Sequence, residues 1–191
     1  MKSLRESHTE ATFEALLRAG RRQFGARGYD AVSLEDIGAE ARVTTGAIYH
    51  HFKGKKALFQ GVAEAVEADL LAVAAAVKDH DPWERTQKAF VKLIEACAAP
   101  DVQQIVFLDA PRVIGPEAWR GIEMKYAFGG MSSVLAQLVE AGVLHPYPTE
   151  LLATVLLAVL AEASRAVSAK PELTAEASNL MLRVLAALRK E

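Results

Sequence analysis

Apolar residues recur along most of this chain at intervals of three and four, with no convincing two-residue alternation. Phe13, Leu16, Leu17, Gly20 and Phe24 share one face of a first helix, which Gly28 is suited to end in the left-handed conformation. Ser33 has the hydroxyl to cap a short second helix over 34–41, and Thr44 a third over about 45–51. Phe59, Val62, Val66, Leu70, Val73 and Val77 trace a fourth helix that starts near Lys55 and runs roughly 34 Å. Asp81-Pro82-Trp83-Glu84 supplies a cap, a first-turn proline and an early acid for a fifth. Pro100 stops that helix, and Asp101 is placed to cap a sixth through about Leu108. Gly115-Pro116 opens a seventh that ends at Gly142, with Gly129-Gly130 either a bend or a close packing contact. Pro146 and Pro148 mark a connection, Thr149 can cap an eighth helix to about Ser168, and Lys170-Pro171 precedes a last one from about Glu172 to Arg189. The pattern predicts an all-α chain of about nine helices.

The segment 33–52 stands out within that series. Two short helices joined at Arg42-Val43 have the length of a helix-turn-helix, with Ile37, Ala41, Val43 and Ile48 facing inward and Gly38 letting the helices cross closely. In such a motif the second helix enters the major groove of DNA, N-terminal residues foremost. Ser33, Thr44, Thr45, Gly46, Tyr49, His50 and Lys55 are then the candidate DNA-binding residues. Threonine hydroxyls bond phosphates or base edges, Gly46 permits close backbone approach, and the tyrosine hydroxyl suits a phosphate oxygen. Lys55 starts the fourth helix, where a cation is not favoured by the helix dipole unless an anion arrives from outside. Lys53 and Lys56 flank it, and on charge alone this is also what a solvated lysine cluster looks like.

Charge and composition alter the picture in one respect. The 191 residues carry 22 Lys+Arg and 24 Asp+Glu, a formal charge of −2, which by itself argues against a nucleic-acid partner. Residues 1–60, however, hold ten Lys+Arg and seven Asp+Glu, a net of +3, leaving −5 for residues 61–191. A basic head is thus joined to an acidic body. One cysteine, Cys97, excludes an internal disulfide. The polar start, 1–10, lacks the apolar core of a secretion signal, and the apolar run 151–161 is too short to span a bilayer. These readings place the chain in the cytoplasm, away from membranes. No Ser/His/Asp, Cys/His or paired-carboxylate set and no glycine-rich phosphate loop stands out, so neither an enzyme nor a catalytic residue is expected. His50 and His51 point about 100° apart on a helix and cannot chelate one metal together; no metal or cofactor is expected.

Phe24-Gly25-Ala26-Arg27-Gly28-Tyr29, Ser33-Leu34-Glu35-Asp36-Ile37 and the run from Val43 to Leu58, with its Tyr49…Phe52-Lys53 spacing, together make the sequence resemble the TetR family of transcriptional regulators. The resemblance covers residues 10–60 almost continuously. It implies a three-helix DNA-binding domain over 10–60 and a ligand-binding and dimerisation domain over 61–191. It implies also a dimer formed through the last two helices of each copy, a palindromic operator in double-stranded DNA, and repression released by a small lipophilic effector. The family usually has glycine where this chain has Arg42; in a left-handed turn that costs on the order of 1 kcal/mol. For the effector, Phe90, Phe107, Trp119 and Tyr126 offer large side chains, with Glu123, Arg165, Asp109 and Arg120 as polar groups. The competing reading is a helical small-molecule carrier or interaction module without sequence-specific DNA binding.

Overall fold

The computed structural model describes residues 4–190, and the all-α expectation holds: among the described residues there are nine helices and no strand beyond one isolated bridge, Leu144 to Arg189. They are α1 (Leu4–Arg27), α2 (Leu34–Ala41), α3 (Thr45–His51), α4 (Lys55–Ala75), α5 (Pro82–Cys97), α6 (100–113), α7 (116–140), α8 (Thr149–Ala169) and α9 (Thr174–Ala186). The leader-peptide reading of the N-terminus falls partly on residues 1–3, outside the described residues.

Local chemistry accounts for most boundaries. Gly28 at φ 76° ends α1 and donates its N–H to the Phe24 carbonyl at 2.8 Å. Ser33 and Asp36 form a reciprocal capping box at the start of α2. Asp81 accepts the Trp83 N–H at 2.8 Å ahead of Pro82. Three expectations need correction. Asp101 does not cap α6, which begins at Pro100; its carboxylate instead accepts from Arg21 Nε at 2.7 Å. That helix runs on to Val113, because Gln103–Asp109 wind into a wider π-type turn instead of stopping. Thr149 is the first helical residue of α8, and Pro148 holds the cap position without a side-chain bond.

In α7 the irregularity lies at Met124–Phe128, again π-type, while Gly129 is regular helix at φ −62°. Gly130 is a packing glycine: a Cβ there would lie 3.2 Å from Leu71 Cδ1.

The described chain forms two compact units. The first comprises the residues up to Val66 together with Pro100–Trp119; the second comprises Glu67–Ala99 and Arg120 onward. The first unit thus takes in residues 100–119 in addition to the N-terminal helices expected over 10–60. In the first unit Leu16, Phe24, Ile37, Ile48, Leu58, Phe59 and Val62 are fully buried, and Phe59 packs edge-on against both Phe24 and Tyr29 at 5.1 Å. In the second, α5, α7, α8 and α9 enclose Phe90, Ile94, Leu135, Leu138, Leu156, Met181 and Leu185. At 21 residues α8 is long and apolar enough to cross a membrane by length and composition alone, a reach beyond the run read in the sequence. Its Leu152, Ala153, Leu156 and Val167 lie in the core of the second unit.

Candidate nucleic-acid interface

The turn between α2 and α3 is built around a tight backbone contact. Val43 N–H donates to the Gly38 carbonyl at 2.9 Å, and a Cβ on Gly38 would come within 2.9 Å of the Val43 oxygen. Arg42 adopts φ 58°, ψ 40°, the only positive φ at a non-glycine among the described residues. The strained conformation is thus kept without glycine, and the arginine side chain is exposed. Thr44 then opens α3, its Oγ1 accepting the Ala47 N–H at 3.3 Å.

Ile48, buried against the first unit's core, fixes which way α3 turns. Thr45 and Tyr49, and Gly46 and Tyr49-His50 beside them, fall at spacings of three and four on the opposite face. Tyr49 is 60% exposed, an unusual degree for so large a side chain. Gly46 is open, a Cβ there meeting nothing nearer than Thr44 Oγ1 at 3.8 Å. The two histidines divide: His50 is exposed, whereas His51 is half-buried with its ring 6.1 Å from that of Phe13. Ser33 spends its oxygen on the Asp36 N–H, which leaves its hydroxyl proton to donate.

The acids near this face are turned onto arginines. Asp36 accepts from Ser33 N–H and from Arg27, and these bonds, the serine ones foremost, hold its carboxyl below the usual range. Glu40 accepts from Arg22 and from Gln23 at 2.6 Å, with the same consequence, Arg22 acting most strongly. Asp30 pairs with Arg112 at 2.9 Å. Arg42, Lys53 and Lys56 are exposed and enter no ion pair among the described residues. Cations therefore stand at both ends of α3, as phosphate contacts require. Lys55 is less free than its sequence position implies. Its ammonium lies 4.3 Å over the Tyr29 ring and 3.4 Å from the Asp30 carbonyl, so the same side chain also braces the loop before α2.

A further tie to that loop escaped sequence reasoning. Buried Asp109 accepts from Tyr29 N–H at 2.8 Å, Gln104 Nε2 at 2.9 Å and Arg112 Nη2 at 2.8 Å. Burial raises its pKa, but the three donors outweigh that and hold it below the ordinary value. It is a structural clasp within the first unit and not a pocket group.

The effector candidates do not assemble in one unit. Phe107 and Trp119 belong to the first; Phe90, Glu123, Tyr126 and Arg165 belong to the second. Phe90 and Trp119 are buried, Phe107, Glu123 and Tyr126 half-buried, and Arg165 is exposed and bonded to Glu162. The buried polar residues of the second unit are others: Glu67, Thr86, Ser164 and Ser178. Glu67 had a visible signal, a carboxylate in register with the buried residues Ala63 and Leu70 of α4. Among the described residues no group of three His, Cys, Asp or Glu side chains is arranged to hold a metal ion.

Comparison with known proteins bears on the same two regions. Residues 16–62 match the family described as bacterial regulatory proteins, tetR family, and residues 83–190 match the tetracyclin repressor-like C-terminal domain. The Transposon Tn10 TetC protein of Escherichia coli is 24% identical over 81% of this chain and 79% of its own. The HTH-type transcriptional repressor BepR of Brucella suis is 33% identical over 54% of this chain and 52% of its own. A TetR-family transcriptional regulator from Pectobacterium atrosepticum superposes with a TM-score of 0.84 at 27% identity, covering 100% of this chain and 99% of that one. The SmeT–triclosan complex shares the fold at a TM-score of 0.71 and 22% identity, covering 95% and 93%.

Proposed function

The chain belongs to the TetR family of helix-turn-helix transcriptional regulators, which are not enzymes, and from that premise we propose that it is a repressor acting as a dimer on a palindromic operator. The observation that carries the reading is the face of α3, where Thr45, Gly46, Tyr49 and His50 are presented between the unpaired cations Arg42 and Lys53. Thr44 and Ser33 contribute from the two caps, and Lys55 from the start of α4. BepR is named a transcriptional repressor, which supports the sign of regulation. A molecule bound to an operator of this kind works in the cytoplasm, where the DNA is.

Dimerisation gives the weak single contact its reach, because two recognition helices about 34 Å apart read two half-sites. The surface for it is on α8 and α9. Leu151 is 56% exposed, Val155 49% and Leu180 59%, and Ala158 continues the α8 stripe at the next turn. Such a contiguous apolar face is what a homodimer buries. Val155→Asp is expected to convert a dimer into a species of the chain mass, 20.6 kDa, in sedimentation velocity, and to weaken operator binding at least hundredfold. A wild-type chain that sediments at 20.6 kDa at micromolar concentration would refute the assignment.

The second unit takes a small lipophilic effector whose binding shifts the population away from the DNA-competent arrangement. SmeT, which shares this fold, is seen in complex with triclosan, which is in keeping with a ligand-responsive reading of the chain. The direct test is footprinting on the DNA upstream of the chain's own gene, where two protected half-sites related by inversion are expected. Tyr49→Phe should weaken binding about fivefold, the loss of one hydrogen bond of about 1 kcal/mol. Lys55→Ala should flatten the logarithmic salt dependence by about one. Unchanged affinity and salt dependence in both variants would favour the carrier reading instead.

A further inference from the structure

Two acids and two cations meet around the loop between α1 and α2. Arg112 Nη2 lies 2.8 Å from Asp109 Oδ1 and 2.9 Å from Asp30 Oδ2, so one guanidinium holds both carboxylates. Asp109 spends its other oxygen, Oδ2, on the Tyr29 N–H at 2.8 Å and on Gln104 Nε2 at 2.9 Å. The second cation is Lys55. Its ammonium stands 4.3 Å over the Tyr29 ring and 3.4 Å from the Asp30 carbonyl, yet it enters no ion pair among the described residues.

The four groups allow a second arrangement. A lysine that reaches the carbonyl of Asp30 also reaches the carboxylate of the same residue after a change of χ1 rotamer. The Asp30 side chain is 74% exposed, so packing does not hold it away. What holds it is the 2.9 Å bond to Arg112. With that bond gone, the free carboxylate and the Lys55 ammonium attract each other. A lysine paired to an aspartate has less to offer a phosphate.

We propose that Arg112 is a positioning residue for operator binding: by holding the Asp30 carboxylate it keeps that acid off Lys55 and leaves the ammonium for a DNA phosphate. The inference rests on the reading of Lys55 as a phosphate contact. Arg112 acts through Asp30 and touches no DNA itself. Simple fastening of α6 to the loop is a different role with a different outcome, because removing Asp30 as well cannot restore a lost bond.

Operator affinity is measured by fluorescence anisotropy on the upstream DNA fragment that footprinting defines, over a series of salt concentrations. Each variant is also melted by circular dichroism. Arg112→Gln is expected to weaken binding about fivefold, the upper worth of an exposed ion pair, and to flatten the logarithmic salt dependence by up to about one. Arg112→Met, a second uncharged side chain, should do the same. Asp30→Asn alone should change affinity less than twofold, because that acid is already occupied. In the Arg112→Gln background it should return affinity and salt dependence to near wild type. In a Lys55→Ala background, Arg112→Gln should have less than a twofold effect. Wild-type binding by both Arg112 variants overturns the inference, and so does an undiminished Arg112→Gln effect without Lys55. Failure of Asp30→Asn to rescue overturns it in favour of fastening, and an equal gain from Asp30→Asn in both backgrounds in favour of bulk charge. If Lys55→Ala itself leaves affinity and salt dependence unchanged, the lysine is no phosphate contact, and the role of Arg112 falls with that reading.

Discussion

Gly38→Val is expected to abolish operator binding, with a loss of at least a hundredfold, and to destabilise the chain by about 2–3 kcal/mol. The obstruction is backbone: a Cβ at this position would stand 2.9 Å from the Val43 carbonyl oxygen and 3.5 Å from Ile48 Cδ1. The oxygen cannot swing aside like a flexible side-chain tip, because the same turn is closed by the 2.9 Å bond from Val43 N–H to Gly38. α2 and α3 must therefore separate, and the face carrying Tyr49 rotates with α3. The loss in affinity exceeds the loss in stability because the groove contact depends on orientation. Gly38→Ala separates the two effects. It should remain folded by circular dichroism, melt a few degrees lower, and still bind operator about tenfold more weakly. Operator affinity of Gly38→Val within threefold of wild type would show that the turn has slack and that this account of the motif is wrong.

Glu67→Gln is expected to raise stability at pH 8 by about 3 kcal/mol and to change it little at pH 5. Burial first, and then Glu123, raise the folded-state pKa from an ordinary 4.5 to about 7. An acid shifted in that direction binds its proton more tightly when folded. Its favourable contribution is complete below pH 4.5, declines as pH rises through 7, and is absent above. The interval from 4.5 to about 7 corresponds to about 3 kcal/mol. For a domain of this size that is a melting-temperature gain of about 6–10 °C at pH 8. An equal gain at both pH values would mean that shape, not charge, separates the two side chains. A residue that weakens the fold at physiological pH is a familiar property of binding sites, where the cost is recovered on ligation.

What was legible in the sequence was what neighbours along the chain decide. Ser33, Thr44, Asp81 and Gly28 each act within four residues, and the helix ends they set are where the spacing places them. The face of α3 was legible for the same reason, since burying Ile48 dictates where Thr45 and Tyr49 must lie. The misreadings involve partners far away in sequence. Asp101 looked like a cap but bonds Arg21, eighty residues earlier. Asp109 looked like a pocket group but receives the Tyr29 N–H across the same separation. Lys55 bends onto Tyr29, a contact that charge patterning cannot reveal. The effector candidates on α6 and α7 fall in two units because residues 100–119 pack with the N-terminal helices, a long-range grouping that apolar spacing does not signal. Glu67 is visible in the sequence only as an acid in register with the buried Ala63 and Leu70, a signal of burial and not of a role.

The make-up of the first unit bears on the order in which the protein is made. Arg21, Gly25 and Tyr29 all find partners in residues 101–109, so a nascent chain that has emerged only as far as Val66 still lacks one wall of its DNA-binding part. Synthesis must pass through the thirty-three residues from Glu67 to Ala99 before that wall appears. The helix-turn-helix part is thus finished only after the first stretch of the second unit has been made, and a fragment ending at Val66 lacks the contacts that Arg21, Gly25 and Tyr29 make with residues 101–109.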